Sequence, residues 1–156
     1  MTNNDILRRV RYTFDFGDDK MIGLFALENC VVTRAQVSDW LKKDDHPDHE
    51  ELEDAYLATF LNGLITDRRG KKEGPQVRAE KRLNNNIILR KFKIALNLRA
   101  EDMIAILELA GMQVSKPMLS AFFRNPGQKH YRVCQDQILR NFLHGMQIKY
   151  RSNEAG

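Results

Sequence analysis

Only two cysteines, Cys30 and Cys134, occur in the chain, and they stand far apart in sequence. Without an export signal they read as reduced thiols, not as a disulfide framework or a zinc site. No run of about 18 uncharged apolar residues is present, which excludes a membrane-spanning helix. The start, Met1-Thr2-Asn3-Asn4-Asp5, has neither the basic stretch nor the apolar core of a secretory leader, so a cytoplasmic location is expected. Four prolines and nine glycines leave long uninterrupted segments. No segment sustains apolar–polar alternation between turn residues, so no strand is predicted. A nucleophile elbow, a phosphate-cradling glycine loop, a dinucleotide fingerprint and an HExxH helix are all missing. Nothing points to an enzyme, and no cofactor or metal is expected. Residues 44–51, Asp-Asp-His-Pro-Asp-His-Glu-Glu, do gather metal-ligand types around His46 and His49. Adjacent carboxylates in a proline-containing loop read more simply as a solvated loop.

What is there suffices for a packed core: 42% of the residues are hydrophobic and 29% charged, over a length that fits one ordinary domain or two very small ones. The net charge of +4 is unevenly distributed. Residues 3–65 hold 7 Lys/Arg against 13 Asp/Glu, a net of −6. Residues 66–84 hold 7 against 3 and residues 85–147 hold 9 against 4, nets of +4 and +5. Such a split favours a polyanionic partner for the basic part, or else mutual attraction of the two halves.

The sequence also repeats itself. An offset of 82 aligns residues 3–65 with 85–147 without a gap and with 15 identities in 63 pairs. Among them are Asn3/Asn85, Asn4/Asn86, Arg8/Arg90, Asp54/Asp136 and Gly63/Gly145, and many other pairs keep apolar character, such as Trp40/Phe122. A tandem duplication follows.

Each copy reads as four helices. The first follows an asparagine cap, with Ile6, Leu7, Val10 and Phe14 on one stripe and Ile88, Leu89, Phe92 and Leu96 matching them. The second starts near Asp18-Asp19 or Glu101-Asp102 and closes at Asn29 or Gly111, residue types that tolerate the left-handed conformation. The third is capped by Thr33 or Ser115; Thr33 and Gln36 have capping-box spacing, and Pro117 suits a first turn. The fourth covers roughly 51–65 and 135–148. The expected organisation is a first, acidic repeat over 1–69, a basic linker over 70–84, a second, basic repeat over 85–151 and a disordered tail over 152–156. The fold class is all-α: two four-helix repeats packed as a pseudo-two-fold pair, since about 63 residues is marginal for an independent core.

The second and third helices of each copy invite a helix-turn-helix reading, with buried positions four and seven residues after the cap. The four residues from Asn29 or Gly111 to that cap exceed the compact turn, so an ordinary helical hairpin competes with it. Basic residues recur at matched positions in spite of the charge split: Arg8/Arg90, Arg9/Lys91, Arg11/Lys93, Arg34/Lys116 and Lys42/Arg124. The candidate phosphate-contacting set is Arg8, Arg11, Arg34, Lys71, Lys72, Arg90, Lys91, Lys93, Lys116 and Arg124, with a solvated helix face as the plainer reading. Trp40 and Phe122 are assigned to the core.

Several stretches carry a resemblance: Asn4-Asp5-Ile6-Leu7-Arg8, Phe60-Leu61-Asn62-Gly63-Leu64-Ile65 with Arg69-Gly70-Lys71, and the run Asn84 to Lys91. So do Met103-Ile104-Ala105-Ile106-Leu107 and the spacing of Cys134, Asp136, Gln137, Leu139, Arg140, Phe142 and Leu143. Over nearly its whole length the chain resembles the YehS-like family of small bacterial proteins, a domain without an established function. The resemblance implies a bacterial, cytoplasmic protein and supplies no catalytic residues. The expectation is a non-enzymatic nucleic-acid-binding or regulatory protein. The alternative is a protein-interaction module pairing through its acidic repeat, and neither reading fixes an oligomeric state or involves a membrane.

Overall fold

The computed structural model describes residues 1–71, 73–74 and 78–155, with side chains described as far as Arg151. The described residues form eight α-helices and no strand: α1 (Asn3–Phe14), α2 (Asp18–Ala26), α3 (Arg34–Leu41), α4 (Asp54–Arg69), α5 (Asn85–Ala95), α6 (Ala100–Leu109), α7 (Lys116–Phe122) and α8 (Asp136–Ala155). None is long and apolar enough to cross a membrane.

Local chemistry sets most of the boundaries. The Thr33 hydroxyl accepts from the Gln36 N–H while the Gln36 side chain accepts from the Thr33 N–H, which starts α3; Ser115 caps α7 ahead of Pro117. Asn29 (φ 59°) and Gly111 (φ 80°) close the second helix of each copy in the left-handed region. The N–H of Cys30 bonds the Phe25 carbonyl and that of Met112 the Leu107 carbonyl, satisfying the last helical acceptors. Asp15 and Asn97, both at φ 53°, do the same for α1 and α5.

The asparagine cap holds for α5, where Asn84 accepts from the Ile87 N–H, but α1 is capped by Thr2 in a box with Asp5. The fourth helices start later and run longer than the periodicity indicates. At the beginning, Leu52 is pinned by a tertiary bond and the chain stays extended up to Glu53. At the far end, α8 continues through Ala155, taking in residues expected to form a loose tail. Seven residues, 27–33, separate α2 from α3, so the hairpin is wider than the compact nucleic-acid-reading motif.

Within each copy the second helix packs on the fourth and on the third: α2 on α4 and α3, α6 on α8 and α7. Between copies α4 lies along α5 and α8 along α1, so each copy's first helix packs on the other's last. One buried core results, drawing Leu7, Phe25, Phe60 and Leu64 from one copy and Leu89, Phe92, Phe142 and Met146 from the other. The α4–α5 pair is parallel, Asp54 lying beside Leu83 and Asn62 beside Lys91. The linker must therefore return along the 16 residues of α4, about 24 Å.

The cysteines differ in environment. Cys134 is fully buried, and desolvation, helped by the charge of Asp136, pushes its thiol up to about 12; Cys30 is half-buried and raised by burial alone. Titration of the native protein with an aromatic disulfide at pH 8 is expected to release one equivalent, from Cys30, and a second only on unfolding. Two equivalents from the native protein would contradict the packing around Cys134.

Candidate nucleic-acid interface

The geometry starts from two buried asparagines. Asn4 donates to the carbonyls of Trp40 (2.9 Å) and Glu50 (2.8 Å) and accepts from the Leu52 N–H (3.0 Å). Eighty-two residues on, Asn86 donates to Phe122 (3.1 Å) and Arg132 (2.8 Å) and accepts from Cys134 (2.9 Å). Asn3 and Asn85 add bonds to Asp54 and Asp136, each at 2.7 Å. In each copy these bonds bind the strap between the third and fourth helices to the first helix, and a backbone bond from Glu50 to Asp39, or Arg132 to Ala121, fastens it to the third. A rigid face results, built from the first helix, the end of the third and the strap.

The two copies dress this face with opposite charge. In the first, Arg8 is half-buried, donating to the Lys42 carbonyl (2.8 Å) and paired with Asp5. Partial burial works to raise the Asp5 pKa, but hydrogen bonds from the Thr2 backbone and the Arg8 guanidinium prevail and hold it below its ordinary value. Lys42 pairs with Asp39, and the strap carries Asp44, Asp48, Glu50 and Glu51. His49 Nδ1 donates to the Lys42 carbonyl (2.9 Å) and His46 Nδ1 accepts from the Asp48 N–H (3.0 Å). Among the described residues no three His, Cys, Asp or Glu side chains gather as a ligand set.

In the second copy the acids are replaced. Asp5, Asp39, Glu50 and Glu51 align with Ile87, Ala121, Arg132 and Val133. Exposed Arg90 donates to the Phe123 carbonyl (2.7 Å), and Lys93 stands 5.6 Å above the Phe123 ring. Exposed Arg124 bonds the Lys129 carbonyl (3.3 Å), and Arg132 sits in the pinned strap. None of Arg90, Lys93, Arg124, Lys129 and Arg132 has an ion pair among the described residues.

The structure thus unites three of the expected residues, Arg90, Lys93 and Arg124, and separates the others. Lys91 is corrected: only 7% exposed, it pairs with Glu80 (2.9 Å) and donates to Asn62 (2.6 Å), because the returning linker covers it. Arg8 is turned inward onto Asp5, whereas Arg11 is exposed. Arg34 reaches solvent but is bound by Asp18 (3.1 Å) and Asp19 (2.6 Å). Lys116 is exposed at the other end of α7, about 10 Å along its axis from Phe123. Lys71 is exposed beyond α4, and Lys72 lies outside the described residues. Lys129 and Arg132 were missed in sequence. Their signal was the alignment itself, in which Glu50 becomes Arg132. Trp40 and Phe122 are buried as expected, Trp40 against Phe25 and Tyr56. Mutual neutralisation of the copies is slight: one described ion pair, Arg151–Asp15 at 3.9 Å, joins them.

The family described as "Protein of unknown function (DUF1456)" matches the chain twice, at residues 3–70 and 85–152. The chain is 42% identical over 147 residues, 94% of each chain, to "Uncharacterized protein YehS" of Escherichia coli (strain K12). No solved structure matches.

Proposed function

We propose, for a chain that belongs to the DUF1456 family of YehS-like proteins, a non-enzymatic role in binding nucleic acid through the face around Phe123. One observation carries the reading: the same hydrogen-bonded scaffold is built twice, with Arg8 and Lys42 paired to carboxylates in one copy and their counterparts Arg90 and Arg124 uncompensated in the other. Polyphosphate binding needs cations held on a rigid surface, where binding releases counterions without ordering a flexible segment. Arg90 and Arg124 are held by backbone carbonyls, which orient a guanidinium without neutralising it. The hairpin that carries α7 is wider than the compact groove-reading motif, so contacts to phosphate, and little sequence preference, are the expected mode.

The test is fluorescence anisotropy of a labelled single-stranded RNA and a labelled DNA duplex at 50 to 200 mM salt. With four cations engaged, the logarithm of the duplex binding constant falls with that of the salt concentration with a slope of about −3 to −4. No binding at low salt, or a salt-independent affinity, overturns the proposal.

A further inference from the structure

A cleft of about 440 Å³ opens between α1 and α8, lined among others by Asp5, Arg8, Arg9, Tyr12, Arg140 and Gln147. One wall is shared with the first copy's strap, since Arg8 also donates to the Lys42 carbonyl. Asp5 is bound to Arg8, so the uncompensated side-chain charge in the cleft is that of Arg9 and Arg140, neither in an ion pair among the described residues.

The chain itself shows what such a cleft accepts. The helices α1 and α8 correspond to α5 and α4 in the other copy, and Arg9 corresponds to Lys91. There, the non-helical linker segment 78–84 lies over the helix pair. Glu80 reaches Lys91 at 2.9 Å, and the Leu83 N–H bonds Asp54 at 2.8 Å. A bent, non-helical segment thus delivers a carboxylate to the basic residue at this position of the repeat. The α1–α8 cleft keeps that basic residue and adds a second, since Arg140 stands where α4 has Ala58. Two guanidiniums favour two carboxylates, and the fork geometry of arginine suits carboxylate bidentately.

We infer that the α1–α8 cleft is a docking site for a non-helical acidic peptide segment of a partner protein, bound through Arg9 and Arg140 as Glu80 is bound by Lys91. This is independent of the nucleic-acid reading, which concerns another face. The probe is a labelled hexapeptide with two adjacent glutamates, measured by anisotropy on the full chain, with its diglutamine counterpart as control. The diglutamate peptide binds and the diglutamine peptide does so at least tenfold more weakly. Arg140→Glu, at an exposed position, and Arg9→Glu each weaken binding at least tenfold, whereas Arg9→Lys, which restores the residue of the other copy, retains it. Far-UV circular dichroism establishes that each variant is folded, and single-stranded RNA does not displace the peptide. The inference is overturned if the diglutamate peptide does not bind, if folded Arg140→Glu binds it as well as the parent, or if inorganic phosphate competes with equal strength.

Discussion

Gly63→Ala and Gly145→Ala each lower the stability of the protein by about 3 kcal/mol or more in urea or thermal unfolding. A Cβ at Gly63 would lie 1.9 Å from the Leu24 carbonyl oxygen and 2.7 Å from its carbon; at Gly145 it would lie 1.9 Å from the Ile106 carbonyl oxygen. The obstacle is helix backbone in both copies, so α2 must move off α4, or α6 off α8, and the layer of Phe and Leu beneath loses contact. Glycine inside a helix otherwise costs about 1 kcal/mol relative to alanine. Gly23 supplies the control: nothing lies within 4 Å of its Cβ position, and the aligned residue is Ala105. Gly23→Ala therefore leaves stability unchanged or raises it by up to about 1 kcal/mol. Equal losses at Gly23 and Gly63 would mean that helix propensity, not close approach, is measured.

Asn4→Ala and Asn86→Ala form the second large pair, each expected to cost about 3–5 kcal/mol by chemical denaturation. Each removes two donors and an acceptor, stranding two carbonyls and an N–H at sites shielded from water. An orphaned buried group costs about 1–3 kcal/mol, and partial access of water to the strap keeps the total below the full sum. Asn4→Asp, although isosteric, offers no donors when ionised and places a charge against two carbonyls, so it is no milder than alanine. On the proposed reading the two positions separate in function: in anisotropy Asn86→Ala is expected to weaken nucleic-acid binding, whereas Asn4→Ala is expected to leave it unchanged.

These pairs also show what can be read from the sequence. The tandem repeat, the four-helix periodicity, the Thr33–Gln36 box, the left-handed closures at Asn29 and Gly111 and the place of Pro117 are all local signals, and each stands in the structure. The polar identities between copies were visible too, but not their meaning. Asn4 finds its partners 36, 46 and 48 residues away, and no period or cap rule reports bonds of that range. The same local rules chose asparagine as the cap of α1, where Thr2 does the work and Asn3 and Asn4 face inward. Lys91 joined the phosphate-contacting set as a repeat-matched basic residue, and such matching does not report the linker, which a parallel α4–α5 pair sends back across it. The Phe123 face itself was half legible: Arg90, Lys93 and Arg124 recur at repeat-matched positions, whereas Lys129 and Arg132 break the match.

On the proposed reading, duplication kept the scaffold while a change of charge made one copy's face a polyanion site. Arg132→Glu with Val133→Glu tests it most directly, because it writes Glu50 and Glu51 of the first copy onto the exposed, equivalent positions of the second. Anisotropy at 50 mM salt is expected to show at least a tenfold loss of RNA and duplex affinity and a shallower salt slope, with unchanged unfolding. Binding equal to that of the parent protein would contradict the account.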